Sequence, residues 1–244
     1  VVSPTALVCL PFAGAGTSFY RPWSADVDPG RLRIVPLQLP GRERRIDEDP
    51  HRDVNAAVDD LVAGLPGALA GARRVALFGH SLGAVLAYEL AQRLTGISGG
   101  RASDIGASGI EVVRLFVSGS PTPDVRRERR ATGLPDEEFL TRVAEFAGLR
   151  HEAMADPEMR GLILPMLRAD IAMHENYVPG AGDPVPVPIL ALRGSGDTLV
   201  TADEALGWAK FTSRDFAYSE LPGGHMYLTE SRVPLLRLVK RWVK

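Results

Sequence analysis

Short apolar runs punctuate the chain at residues 7–10, 32–39, 75–78, 112–117, 189–192 and, more weakly, 216–221. They do not alternate apolar with polar positions. Continuous runs of this length suit strands covered on both faces, as in a parallel sheet. Between them lie amphipathic stretches. Over residues 53–65, Val54, Ala57, Val58, Leu61, Val62 and Leu65 fall on one helical stripe, and over 82–94 Val85, Leu86, Leu90 and Leu94 do the same. Residues 234–243 read as a closing helix. Strands alternating with helices predict an α/β fold, with a mainly parallel sheet flanked by helices. Two stretches break the rhythm. Residues 95–109 are rich in Gly and Ser and read as a surface loop. Residues 121–188 hold no clear strand but carry helical patterns at 136–147 and 158–177. The expectation is one domain over 1–244, with a helical insertion at 122–187 sitting over the sheet as a lid.

Composition adds exclusions. With 45% hydrophobic and 24% charged residues the chain is an ordinary globular one, not a disordered or fibrous one. At 244 residues it is long enough for one large core without staples. No apolar run approaches the ~18 residues of a membrane span, so no membrane partner is expected. A net charge of −2 argues against a general nucleic-acid binder. Cys9 is the one cysteine, which excludes an internal disulfide, and no secretory signal opens the chain. A cytoplasmic location is expected.

The sharpest local signal is Gly79-His80-Ser81-Leu82-Gly83. It fits G-x-S-x-G, follows an apolar strand and opens an amphipathic helix, which is the context the motif requires. A strand that turns straight into a helix strains the serine backbone and needs small neighbours. The helix N-terminus beneath favours developing negative charge. Ser81 is therefore the candidate nucleophile.

A serine needs a base, and the base an acid to orient it. With this kind of turn the chain order is Ser, then Asp or Glu, then His. His51 and His80 precede Ser81, and His151 and His174 fall in the insertion. Only His225 follows a late strand, in Leu221-Pro222-Gly223-Gly224-His225. Asp197 follows the run at 189–192 and precedes His225, which makes it the candidate acid. Asp183 lies before that strand and Asp203 on the helix pattern after it. The tetrahedral intermediate needs two N–H donors. Leu82, after the nucleophile, supplies one. The loop Pro11-Phe12-Ala13-Gly14-Ala15-Gly16 supplies the other, with Ala13 the choice and Phe12 the neighbouring alternative. The same loop lacks a Walker lysine and the full G-x-G-x-x-G, so it is a poor phosphate loop.

Taken together, LVCLPFAGAG, IVPLQLPGRERR, LFGHSLGA, LFVSGSPTP, LPMLRAD…ENY and LPGGHMYL resemble the stand-alone type II thioesterases of polyketide and nonribosomal peptide assembly lines. The matching blocks run from about Leu7 to Leu228, and QLPGRE with LRAD…E-x-Y is far more specific than G-x-S-x-G. The resemblance implies an α/β-hydrolase fold and puts Ser81, Asp197 and His225 on the family triad. Leu82 stands where methionine is frequent, and Met226-Tyr227 where two aromatics are common. It also implies a function: hydrolysis of acyl groups from the phosphopantetheine arm of acyl or peptidyl carrier proteins, clearing stalled or mis-primed chains. No metal or other cofactor is implied, and a monomer is expected. Rival readings are a general carboxylesterase, an acyltransferase with the same triad, and a non-catalytic carrier-binding module.

The methionines Met154, Met159, Met166, Met173 and Met226 lie in the insertion or beside His225. Methionine adapts to varied surfaces, so Phe12, Met166 and Met226 are candidate substrate-binding residues. Arginines cluster at Arg42, Arg44 and Arg45 and at Arg126, Arg127, Arg129 and Arg130; either cluster is a candidate steering patch for an acidic carrier. Asp170 is expected to cap a helix or pair with Arg168 or another arginine.

Overall fold

A computed structural model describes residues 4–96, 109–125, 130–147, 156–180 and 183–243. Its strands are β1 (Thr5–Leu10), β2 (Leu32–Pro36), β3 (Arg74–His80), β4 (Glu111–Ser118), β5 (Ile189–Gly194) and β6 (Phe216–Leu221). They form one six-stranded sheet in the order β2-β1-β3-β4-β5-β6, and every neighbouring pair is parallel. The helices are α1 (Val54–Leu69), α2 (Leu82–Thr95), α3 (Asp136–Ala147), α4 (Pro157–Asn176), α5 (Ala202–Leu206), α6 (Tyr227–Glu230) and α7 (Arg232–Trp242).

The second strand is shorter than its apolar run. It stops at Pro36, which has no N–H to give the ladder; the Leu37 N–H still reaches the Cys9 carbonyl at 3.0 Å, after which the chain leaves the sheet. Helix α1 outlasts its stripe. Asp53 caps its start by accepting from the Ala56 N–H at 3.0 Å, and it runs through Pro66 to Leu69. Helix α4 has Pro157 at its first turn, Asp156 as N-cap and Pro165 inside it.

The two faces of the sheet bury two different sets of side chains. Along β1, Ala6, Val8 and Leu10 join the cluster under α1 and α2, while Leu7 and Cys9 join Tyr20, Trp23, Phe78 and the apolar side of α7 on the opposite face. This is the period-2 alternation of a strand with no solvent-facing side. Residues between β4 and β5 build a small cluster of their own from Ala131, Phe139, Leu164, Leu167 and Ile171, against which Ala13 of the loop after β1 packs. Helix α4 is thus anchored over the edge of the sheet where β1 and β3 end. Among the described residues no helix is long and apolar enough to cross a membrane.

Candidate active site

Strand β3 delivers Ser81 in a conformation that L-residues avoid, φ 52° and ψ −119°. The Ser81 N–H donates to the Ser118 carbonyl at 2.8 Å, and the Ser81 carbonyl accepts from Ala84 at 2.9 Å, so the turn is held on both sides. Its glycines have no room for a side chain. A Cβ on Gly79 would sit 1.8 Å from the Gly83 oxygen, and one on Gly83 would sit 2.7 Å from the Leu10 oxygen.

Two further loops leave the same edge of the sheet, after β5 and β6. They are stitched together: Ser195 N–H donates to the Leu221 carbonyl and Gly196 N–H to the Gly223 carbonyl, both at 2.8 Å. A Cβ on Gly194 would sit 2.1 Å from the Gly224 oxygen. This close approach puts His225 against Asp197. The imidazole Nδ1–H donates to Asp197 Oδ2 at 2.9 Å, while Oδ1 accepts from the N–H groups of Leu199 at 2.8 Å and Val200 at 3.2 Å. Asp197 is only 4% exposed. Burial alone would raise its carboxyl, but the hydrogen bond and charge of His225, with the two backbone donors, outweigh that and hold it below the ordinary value. With Nδ1 donating to a carboxylate, Nε2 is left as the basic atom.

Ser81 and His225 line one apolar cleft that encloses about 100 Å³. Phe12, Ala13, Leu199 and Met226 line it as well, and α4 contributes Leu167, Ile171, His174 and Glu175. In the loop after β1, the Gly14 N–H is committed to Asp170 Oδ2 at 2.8 Å and the Ala15 N–H to the Phe12 carbonyl at 2.9 Å. That leaves Phe12 and Ala13, which both line the cleft, as the candidate donors of this loop. Leu82 is buried at the first turn of α2, directly after Ser81.

Met166 does not line the cleft. The cleft face of α4 runs through residues 167, 171, 174 and 175, and one position along a helix turns a side chain by about 100°. Met166 is buried instead, its Cβ 3.5 Å from the point a Gly41 Cβ would occupy. Met173 joins the core beneath α2, and Met159 is 42% exposed. Met154 lies outside the described residues. The α4 side chains that line the cleft are Leu167, Ile171, His174 and Glu175, none of them a methionine.

The first arginine cluster is largely spent internally. Arg42 is buried on Asp170, and Arg45 pairs with Glu48 and Asp60; of the three, only Arg44 is exposed. Arg126, Arg127 and Arg129 lie outside the described residues, while Arg130 pairs with Glu175 at 3.6 Å and donates to Asn176 Oδ1. Asp170 pairs with Arg42, 128 positions away, and not with its neighbour Arg168, which pairs with Asp136 at 2.5 Å. Asp203 is exposed in the first turn of α5, and Asp183 is exposed ahead of β5.

Sequence reasoning did not foresee a polar layer beneath the base. His80 packs at 4.8 Å from the His225 ring centroid. Its Nδ1 is hydrogen-bonded to Ser118 Oγ at 2.9 Å, and that hydroxyl to the Tyr227 hydroxyl at 2.7 Å. Burial pushes the Tyr227 phenol up, so that hydroxyl keeps its proton. A Cβ on Gly119 would sit 2.5 Å from His80 Cε1 and 3.3 Å from His225 Cε1. The visible sequence signal for this layer is the SGS that begins at the last residue of β4. Among the described residues no group of His, Cys, Asp or Glu has the arrangement of a metal site.

Comparison with known proteins gives a consistent answer. The family described as "Thioesterase domain" matches residues 5–243. The gramicidin S biosynthesis protein GrsT of Aneurinibacillus migulanus is 32% identical over 234 residues, covering 96% of this chain and 86% of that protein. The type II thioesterase BorB from the borrelidin biosynthetic cluster is 32% identical, with a TM-score of 0.81 and 100% and 92% of the two chains covered. RedJ, a thioesterase from the prodiginine pathway of Streptomyces coelicolor, is 30% identical with a TM-score of 0.84, covering 98% of this chain and 91% of its own.

Proposed function

The chain belongs to the thioesterase domain family, and from that premise we propose that it is an editing thioesterase with Ser81, His225 and Asp197 as its catalytic triad. It is a serine hydrolase of the α/β-hydrolase fold that removes acyl groups from carrier proteins in polyketide or nonribosomal peptide biosynthesis. The observation that carries the triad is the 2.9 Å bond from His225 to buried Asp197, in a cleft that the strained Ser81 also lines.

In this reading, His225 Nε2 takes the Ser81 hydroxyl proton as Oγ attacks the thioester carbonyl. The carbonyl oxygen becomes an oxyanion held by the N–H groups of Ala13 and Leu82, at the N-terminus of α2. Collapse of the intermediate breaks the carbon–sulfur bond, and His225 returns the proton to the pantetheine sulfur. Water then attacks the acyl-serine, His225 again taking the proton, and the acid leaves with Ser81 restored. Asp197 stays ionised throughout and keeps the imidazole in the Nδ1–H tautomer. The protein supplies every group these steps need.

The substrate end of the cleft supports a short acyl group. Phe12, Met226, Leu167 and Ile171 offer apolar surface for it. The residues between β4 and β5 act as the lid, because α4 supplies one wall of the cleft. The partner is an acyl or peptidyl carrier protein presenting its phosphopantetheine arm, and the enzyme works as a monomer. The one cysteine, Cys9, is buried in β1, which suits a reducing cytoplasm.

A panel of acyl-loaded carrier proteins, run beside matched oxygen esters, tests this reading. The enzyme should release acyl groups from carriers and prefer thioesters, and Ser81→Ala should abolish the release. Equal or better turnover of oxygen esters, with carriers left loaded, would instead assign a general esterase.

A further inference from the structure

The loop that carries Phe12 and Ala13 is fastened from outside the sheet it leaves. Its polar backbone is tied to two side chains from distant parts of the chain. Arg42 Nη1 donates to the Ala15 carbonyl at 3.0 Å and to Asp170 Oδ2 at 2.8 Å, and Nη2 donates to Asp170 Oδ1 at 2.7 Å. The same Oδ2 accepts the Gly14 N–H at 2.8 Å. Both side chains are almost wholly buried, at 4% and 1% exposure. The next residue, Glu43, continues the hold: its carboxylate accepts from Thr17 N–H, Thr17 Oγ1 and Ser18 N–H. It also fills the space beneath Gly16, where a Cβ would meet Glu43 Oε1 at 2.2 Å.

A buried ion pair adds little stability over apolar residues of the same volume. What this pair does supply is geometry: a bidentate fork is rigid, and both sides of the Gly14 peptide region are fastened to it. Asp170 projects from α4, the helix that also walls the cleft through Leu167 and Ile171. We propose that Arg42 and Asp170 are positioning residues that set the oxyanion donor of the loop after β1 and make that setting depend on α4 being seated. The helix that receives the acyl group thereby also completes the donor site. Neither residue touches substrate; both act through residues 13–15. This inference rests on the reading of Ser81 and Ala13 given above.

The test uses Asp170→Asn, which keeps the volume and removes the charge, and the double variant Arg42→Met with Asp170→Leu, which replaces the pair by apolar groups and is expected to fold. Each is assayed for kcat and KM on an acyl-pantetheine thioester. Each is also measured for affinity toward a trifluoromethyl ketone, which forms a tetrahedral adduct with the serine, and toward an unreactive thioether analogue of the substrate. The expected result is a kcat lower by about 10²-fold, with KM little changed. Ketone affinity should fall by a similar factor while thioether affinity holds. A folded variant of either kind with wild-type kcat overturns the proposal. So does a parallel loss of ketone and thioether affinity, or a failure of both variants to fold, since either marks a packing role. If a fluorophosphonate fails to label Ser81 in the wild type, the triad reading itself falls, whatever the Asp170 variants do.

Discussion

A methyl group on Gly79 would lie 1.8 Å from the Gly83 oxygen, and one on Gly194 would lie 2.1 Å from the Gly224 oxygen. The first contact makes the serine turn, and the second brings the loops after β5 and β6 together so that Asp197 meets His225. The site is thus built by backbone approach as much as by its reactive side chains. At this scale Asp197→Asn is the informative substitution. It leaves the geometry but presents the wrong tautomer to Ser81, and kcat should fall by roughly 10⁴-fold. The same variant tests the ionisation. The Asp197 carboxyl is held below its ordinary value, so its contribution to stability is full above the unfolded-state value of about 3.9 and lost as pH falls through the lower folded value. Denaturant unfolding at stepped pH should therefore show the wild type losing stability more steeply than Asp197→Asn below about pH 4. Parallel curves would mean the carboxyl is not held down.

At the scale of elements, the strands and the strand–serine–helix turn were legible because their signals are local. A buried parallel strand writes a continuous apolar run, and a strand–serine–helix turn writes its glycines. The length of β2 was misjudged because apolar residues continue past Pro36, where the ladder stops. Helix α1 continues past Pro66, which a sequence reading takes as a boundary, whereas the pattern read over 158–177 already ran through Pro165, as α4 does. Met166 was a candidate substrate-binding residue for its adaptable side chain, but the residue of α4 that lines the cleft at that turn is Leu167. The Arg42–Asp170 pair was legible only as an aspartate in need of some arginine, since a separation of 128 residues leaves no local pattern. The facing of α4 has a consequence. Ile171→Ala should raise kcat/KM for longer or branched acyl groups relative to acetyl by several-fold, since the side chain walls the cleft. Met173→Leu, in the core beneath α2, should leave that ratio unchanged. A chain-length profile that follows Met173 and ignores Ile171 would put the acyl group elsewhere.

For the whole molecule, six parallel strands deliver the loops that carry Ser81, Asp197 and His225 to one edge, where the strands end, and α4 supplies a wall of the cleft that Ser81 and His225 line. Sheet and insertion meet at the loop after β1, where a small apolar cluster and the Arg42–Asp170 pair converge. The central claim is that the thioester acyl group passes through Ser81 on its way to water. Intact-protein and peptide mass spectrometry of the His225→Ala variant, in which deacylation lacks its base, tests this most directly after incubation with an acyl-loaded carrier protein. The account predicts slow accumulation of one acyl group on the peptide that contains Ser81, and no adduct when Ser81→Ala is added. Acyl release from the carrier by the wild type, together with an adduct on another residue or undiminished release by Ser81→Ala, would contradict it.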